Sequence, residues 1–301
     1  MRRKVNRVGP NTLTISLPRQ WVKAHRITKG DELEVQEAGN ALQISRDAAE
    51  RKRRITINLS TYDGRMIKLA LNNLYRLAYD EIICAFKNRA QLNTIQALCE
   101  RNYPGFEVVS STENSCVLEN ILKIDETRFD VLYRRIFILI KEMLDTYIRS
   151  YEQKKMPDPK EIDALHQKVE QYVNFCIRTL FTSGEDLRHI YTYLLTFVLN
   201  ISSTLRRMQN ADPPGQIALS FLKDFAEQFC SFYTGHFKND LHCIRMIDAE
   251  LEKLLASAPY EEGSGVVVCT TAQVVRFLLV VLSPTTIILS DTDIQLSLYD
   301  I

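Results

Sequence analysis

The sequence from residue 1 to residue 30 reads MRRKVNRVGPNTLTISLPRQWVKAHRITKG. This stretch contains eight Lys or Arg residues and no Asp or Glu. Extended to residue 54, it holds 13 basic and six acidic residues, a net charge of +7, whereas the rest of the chain carries −6. The overall charge of +1 therefore conceals a basic head followed by an acidic body. Charge segregation of this kind predicts a polyanionic partner for the head.

The same stretch opens a small unit of short strands around one short helix. Thr12 to Leu17 alternates polar and apolar residues, the period of a half-buried strand. Pro18 suits a helix start, and residues 19–25 predict one short helix. Residues 32–45 alternate again around a turn, which predicts a hairpin. About forty residues bury little core alone, so we expect this unit to pair with a second copy.

Five short motifs make residues 1–46 resemble the AbrB/SpoVT/MazE-type swapped-hairpin DNA-binding domain. The motifs are Val8-Gly9-Pro10-Asn11-Thr12, Ser16-Leu17-Pro18, Trp21-Val22, Lys29-Gly30-Asp31-Glu32 and Gly39-Asn40-Ala41-Leu42. The resemblance implies a dimer in which two chains interleave their strands into one small β-barrel. It also implies that basic side chains near the first strand and the helix face DNA.

Eight residues of the head are the candidate DNA-binding residues. They are Arg2, Arg3, Lys4, Arg7, Asn11, Arg19, Lys23 and Arg26. Arg and Asn side chains can donate to base edges, which favours Arg3, Arg7, Asn11 and Arg19 for sequence reading. Lys4, Lys23 and Arg26 fit phosphate contacts. A solvated surface charge is the alternative interpretation for any single one of them.

The predicted fold class is multidomain α+β. Residues 47–54 form a basic linker, either a solvated tether or a further phosphate contact. Residues 55–122 have the order β-α-β-α-β-β and predict a small α/β domain. Residues 123–301 predict helices in two groups of three, divided by Asp212-Pro213-Pro214-Gly215. Within the last element, Ser283-Pro284 is expected to end the helix and Thr285 to Leu289 to form a strand.

The helical region resembles the PhoU-type domain, which is built from two three-helix bundles. The resemblance rests on Pro159-Lys160-Glu161-Ile162-Asp163 and on Glu185-Asp186-Leu187-Arg188, which open the second and third helices. It implies a role in phosphate signalling, and the combination with the head resembles archaeal-type phosphate uptake regulators.

PhoU-like domains often carry a Glu-x-x-x-Asp motif that holds a metal, and this sequence lacks it at the expected place. Where the motif is expected on the third helix, one alignment puts Asn200 and Thr204 in place of the Glu and the Asp. An alignment shifted by two residues puts Ser202 and Arg206 there, and neither pair supplies two carboxylates. We therefore predict no metal site. Glu126 and Asp130 have the right spacing and are weak candidates, although an acidic first turn that complements the helix dipole is the favoured interpretation.

The chain also lacks the patterns of an enzyme and of a secreted or membrane protein. The five His residues form no catalytic or metal-binding arrangement, which predicts no enzymatic activity and no cofactor. The seven Cys residues form no CxxC pair, which predicts reduced thiols and a cytoplasmic location. The apolar stretch from Val266 to Leu289 is broken by Arg276 and by Ser283-Pro284, so we expect a core segment and no stable membrane insertion.

These patterns predict a DNA-binding transcription regulator of phosphate uptake or a related phosphate response. It would act as a homodimer or higher oligomer, with DNA and a phosphate-signalling protein as partners. The alternative is an adaptor that controls a phosphate transporter or kinase by protein contact, with the head used only for dimerisation. A third hypothesis is an antitoxin-like role, since MazE-type heads occur in antitoxins.

Overall fold

The computed structural model describes residues 3–10, 12–38, 41–45, 52–121, 128–183, 187–260 and 265–299. The chain divides into two compact units, residues 1–52 and residues 53–301. The first unit is the head, and the second contains both the α/β segment and the helices.

The head consists of two short hairpins and one short helix. Its elements are β1 (Val5–Arg7), β2 (Leu13–Ile15), α1 (Arg19–Ala24), β3 (Glu34–Ala38) and β4 (Ala41–Ser45). β1 pairs antiparallel with β2, and β3 pairs antiparallel with β4. Pro18 caps α1 rather than forming its first residue. The predicted turn residues Gly39 and Asn40 lie outside the described residues.

The α/β segment has the predicted element order. Its elements are β5 (Arg54–Asn58), α2 (Gly64–Arg76), β6 (Glu81–Ala85), α3 (Arg89–Asn102), β7 (Phe106–Ser111) and β8 (Ser115–Asn120). The strands form one sheet in the order β5-β6-β8-β7, in which only the β5–β6 pair is parallel. Asp63 and Asn88 cap α2 and α3 by accepting hydrogen bonds from backbone N–H groups. Both helices bury their apolar faces against this sheet.

In the described part of the second unit, six helices follow the α/β segment, three before and three after the break at residues 211–215. They are α4 (Phe129–Glu152), α5 (Pro159–Ser183), α6 (Arg188–Arg206), α7 (Gln216–Phe237), α8 (Leu241–Ala256) and α9 (Gly265–Tyr299), with a 3-10 turn at Arg207–Asn210 after α6. One hydrophobic cluster draws residues from all six. The groups are therefore joined by a shared core, because α6 packs against α9 and α4 packs against α7.

The prediction for the end of the chain was wrong. α9 continues through Pro284, and Thr285 to Leu289 is helical instead of extended. A proline inside a helix removes one backbone hydrogen bond and crowds the preceding turn. Here the helix persists because its residues on both sides of Pro284, such as Val281 and Ile288, are buried in the common core. The hydroxyl of Thr285 also donates to the carbonyl oxygen of Val281 (2.9 Å).

Among the described residues, one helical stretch is long and apolar enough to span a membrane. It covers Gly265–Ser290 within α9, and 56% of its most apolar window is buried inside the protein. Such burial is typical of a core helix, in agreement with the interpretation of this stretch as a core segment.

Candidate nucleic-acid interface

The two hairpins of the head leave their apolar side chains exposed in a single chain. In β1 and β2, Val5 lies opposite Ile15 and Arg7 opposite Leu13. Leu13 is 69% exposed, and Leu42 on β4 is 62% exposed. The other large apolar residues exposed in the head are Val5, Val8, Ile15 and Val35. Apolar and polar side chains alternate along these strands as the sequence predicts. Within the described part of one chain, however, no other segment covers the apolar side chains.

The basic side chains of the head are at the surface. All described candidates are exposed, namely Arg3, Lys4, Arg7, Arg19, Lys23 and Arg26. Arg2 and Asn11 lie outside the described residues. Three candidates precede or belong to β1 and three lie on or directly after α1. The structure thus presents the positive charge of this segment to solvent, where a polyanion could reach it.

The first turn orients Arg7. Gly9 has φ +79°, a left-handed conformation that glycine adopts without strain, and Val8 N–H donates to the Thr12 carbonyl oxygen (2.9 Å). Across this turn, the Arg7 guanidinium donates from Nη2 to the carbonyl oxygen of Pro10 (2.6 Å). A guanidinium carries five N–H donors, so Arg7 can hold the turn and still contact a ligand.

Arg26 occupies a strained backbone position at the end of α1. Its φ is +52°, and the two N–H groups that follow the helix donate back to it: Arg26 N to Lys23 O (3.2 Å) and Ile27 N to Val22 O (3.0 Å). This pair of bonds is the Schellman motif, whose left-handed residue is usually glycine. An arginine there costs backbone energy relative to glycine.

Replacing Arg26 by glycine should therefore stabilise the head and weaken its binding to a polyanion. We expect the free energy of unfolding of the head to rise by up to about 1 kcal/mol. We expect the slope of log affinity for DNA against log salt concentration to become less steep by about one, the loss of one phosphate contact. Trp21, the single tryptophan of the chain, lies in α1 and reports head unfolding by its fluorescence.

A matched control exists at the end of α4. Lys154 has φ +54°, and Lys155 N donates to Ser150 O (2.9 Å) in the same motif. Lys154→Gly also removes one positive charge and the same strain, but in the second unit. It should leave DNA binding unchanged. Equal effects of the two variants on DNA affinity would show that Arg26 has no special contact with DNA.

Comparison with known proteins supports the type of domain assigned to the head. Residues 7–54 match the family model of the antidote-toxin recognition protein MazE, a bacterial antitoxin. No curated protein and no solved structure matches the chain. The head is therefore similar to MazE/AbrB-like domains, whereas the PhoU-like resemblance of the helices stays a prediction.

The weak metal candidates gain no support. Asp130 is exposed in the first turn of α4, and Glu126 lies outside the described residues. Within the described ranges, no group of three or more His, Cys, Asp or Glu residues could hold a metal ion.

The sequence interpretation missed a polar interface between the α/β segment and the helices. We call it the α2–α5 seam. It pairs a row on α2, Lys68, Asn72 and Arg76, with a row on α5, His166, Glu170, Asn174 and Arg178. Both rows repeat every four residues, so each lies along one face of its helix.

The contacts of the seam follow the same order along both helices. Lys68 Nζ is 2.7 Å from Glu170 Oε2, and Arg76 Nε donates to Asn174 Oδ1 (2.8 Å). Burial alone would raise the pKa of the Glu170 carboxyl, but the hydrogen bond and the positive charge of Lys68 hold it below its usual value. The recurrence of a polar residue at every fourth position of α5 was the available signal.

At its far end, the seam reaches the first residue of the second unit. Arg178 donates from Nη1 to the carbonyl oxygens of Tyr75 (3.0 Å) and Tyr79 (2.8 Å), and from Nη2 to Asp80 Oδ1 (2.9 Å). The other carboxylate oxygen of Asp80 accepts a bond from the backbone N–H of Arg53 (2.9 Å). Arg178 therefore fixes, through Asp80, the point at which the basic linker joins the second unit.

Proposed function

We propose that this protein is a DNA-binding regulator that acts as a dimer through its head. The observation that carries the proposal is the charge of the head: its first thirty residues contain eight basic residues and no acidic one, and the described candidates are exposed. The match of residues 7–54 to the MazE family model supports this assignment. The exposed apolar strands support a dimer, since a second copy would cover them.

The finer part of the proposal is transcriptional control of phosphate uptake or a related phosphate response. It rests on the PhoU-like resemblance of the six helices. In this proposal the helical body sets the spacing or orientation of the two heads, and DNA half-sites are selected accordingly. We further propose that the protein is cytoplasmic and acts without catalysis.

Filter binding of the full chain to genomic DNA fragments at several salt concentrations tests DNA binding. We expect affinity to fall steeply with salt, because basic side chains release counterions from phosphates. Lys4→Glu combined with Lys23→Glu should lower the affinity for DNA at least about tenfold. It should also make the slope of log affinity against log salt concentration less steep by about two. Both lysines are exposed, so the folded state should persist.

The matched control is Lys155→Glu, which reverses one exposed lysine of the second unit and should leave DNA binding unchanged. A folded dimer that does not bind DNA at low salt would contradict the proposal and favour the adaptor hypothesis. A folded chain that binds a toxin-like protein but no DNA would favour the antitoxin hypothesis. Chromatin immunoprecipitation with sequencing would then identify the regulated genes and test the connection with phosphate.

A further inference from the structure

Two cysteines lie opposite each other on neighbouring strands of the α/β segment. Cys84 on β6 and Cys116 on β8 are direct partners in the antiparallel register. Two positions away, the backbone N–H of Phe86 donates to the carbonyl oxygen of Asn114 (2.9 Å). Hydrogen-bonded pairs recur at every second position of an antiparallel ladder, so the cysteines form such a pair too. Their Cα atoms are therefore about 5.5 Å apart, a separation that a disulfide can bridge.

The side chains of such a pair stand slightly farther apart than a relaxed disulfide requires. The Cβ atoms of cross-strand partners lie about 4.5–5.5 Å apart, with hydrogen-bonded pairs at the upper end, whereas a disulfide spans about 3.5–4.5 Å. Closing the bond would draw β6 and β8 together by roughly 1 Å. A strained disulfide is more easily reduced, so a bond formed here under oxidation would be reversed by cellular thiols.

Cys116 lies one strand from the edge of this sheet. On the side away from Cys84, its register partner is Ser111, the last residue of the edge strand β7. Ser111 is exposed, and the register of β7 shifts just before it, between Val108 and Ser110. The two cysteines themselves are 0% and 1% exposed. The end of an edge strand opens more readily than the centre of a sheet, so local opening at Ser111 gives a small oxidant access to Cys116.

The thiols of this core differ in acidity. Cys84 and Cys116 share a hydrogen bond, which holds the pKa of Cys116 below its usual value although burial opposes this shift. The same hydrogen bond, together with burial, raises the pKa of Cys84. Burial raises the pKa of Cys99, a third cysteine of the same hydrophobic core, to about 12. The thiolate is the reactive form of cysteine, so Cys116 is the first of the three to react.

We propose that Cys84 and Cys116 form a reversible disulfide when a hydroperoxide oxidises the reduced protein. The Cys116 thiolate attacks one oxygen of hydrogen peroxide: the S–O bond forms, the O–O bond breaks, and the departing hydroxide takes up the proton that Cys116 released. The Cys84 sulfur then attacks the sulfenic acid of Cys116, the S–S bond forms, and the S–O bond breaks with loss of water. Two thiols lose two electrons, and one peroxide becomes two water molecules. A transient disulfide of this kind is compatible with reduced thiols at rest in a cytoplasmic protein, and it does not depend on DNA binding.

Peptide mapping of the full chain tests the proposal, because trypsin separates the three cysteines of this core. The peptides are 77–87 with Cys84, 90–101 with Cys99 and 102–123 with Cys116. The native protein is treated with hydrogen peroxide, its free thiols are blocked with N-ethylmaleimide, and the digest is analysed by mass spectrometry without reductant. We expect the first and third peptides to be joined, at least about tenfold more abundantly than any pair that includes the second. Dithiothreitol should abolish the link.

Two serine variants separate the steps of the reaction. In Cys84→Ser, the hydroxyl still donates a hydrogen bond but cannot form a disulfide, so the sulfenic acid of Cys116 should accumulate and be trapped by dimedone. Cys99→Ser should leave the link between Cys84 and Cys116 unchanged. Circular dichroism confirms that both variants keep the native fold.

The native sequence alone can overturn the proposal, so the result does not depend on the folding of any variant. Cys269 is exposed, and its oxidation measures whether the peroxide dose was sufficient. Oxidation of Cys269 without a link between Cys84 and Cys116 would overturn the proposal. Links that join Cys99 to either partner in equal amount would also overturn it, because they would show random oxidation of the core.

Discussion

Replacing Arg178 by methionine is expected to lower the free energy of unfolding of the second unit by about 3–5 kcal/mol, the range typical of breaking a buried ion pair. Arg178 is 1% exposed, and its guanidinium satisfies two carbonyl oxygens and the Asp80 carboxylate. Its guanidinium carbon also lies about 5 Å from the ring centroids of Tyr75 and Phe106, two rings that contact each other edge to face. Methionine fills much of the volume but donates no hydrogen bond to these three acceptors.

Urea unfolding followed by far-ultraviolet circular dichroism measures this loss, because the signal comes mainly from the helices of the second unit. Lys253→Met is the control, since it removes an exposed pair with Glu250 and should cost less than about 0.5 kcal/mol. Arg178→Lys should fall between the two, because an ammonium keeps the charge but cannot reproduce the planar fork of donors. Similar losses for Arg178→Met and Lys253→Met would refute the structural role of Arg178.

Hydrogen exchange can follow the same variant locally. Asp80 binds both Arg178 and the backbone N–H of Arg53, so losing the arginine should speed amide exchange at Arg53. Unchanged protection there would mean that Asp80 holds Arg53 without help from α5.

The seam shows why part of this fold escaped prediction. The apolar row of α5, which includes Val169 and Val173, predicts a helix in a core, and the structure confirms it. The polar row that includes Glu170 and Asn174 would equally suit a face in water. Whether this polar row faces water or a buried partner depends only on the position of α2. The periodicity of α5 carries no information about α2, because the two helices are about 100 residues apart in sequence.

The α/β segment and α9 mark the two extremes of what local pattern can predict. Strand and helix periodicity predicted the β-α-β-α-β-β order without tertiary information, and the structure adds the caps at Asp63 and Asn88. In α9, the local signals of Pro284 and its β-branched neighbours favour a break, but burial of both flanking turns outweighs them. The candidate DNA-binding residues were chosen by side-chain chemistry, and those that the structure describes are exposed. Both their contact with DNA and their base-reading roles stay predictions.

The second large effect is expected at the head. Leu13→Glu combined with Leu42→Glu should weaken dimerisation by about 4 kcal/mol or more, roughly a thousandfold in the dissociation constant. Each leucine is more than half exposed in one chain, and burying such a side chain contributes about 1.5–3 kcal/mol. The glutamates would in addition place two unpaired charges per chain, four in the dimer, in a desolvated interface.

Trp21 makes this measurement specific to the head. As the single tryptophan of the chain, half-buried in α1, it reports head unfolding even if the helical body also associates. For the native sequence, the fluorescence midpoint in urea should rise with protein concentration, because a dimer unfolds into two chains. The circular dichroism transition of the second unit should depend less on concentration if that unit does not require the same interface.

Val131→Glu is the matched control, since Val131 is an equally exposed apolar residue on α4 in the second unit. It should leave the concentration dependence of the Trp21 transition intact, whereas the double leucine variant should abolish it. A native head whose midpoint is independent of concentration would contradict dimerisation through these strands. The exposed apolar residues of the head would then have to be covered by something other than a second head. DNA recognition by two heads together would lose its geometric basis, because a fixed half-site spacing requires two heads held by one interface.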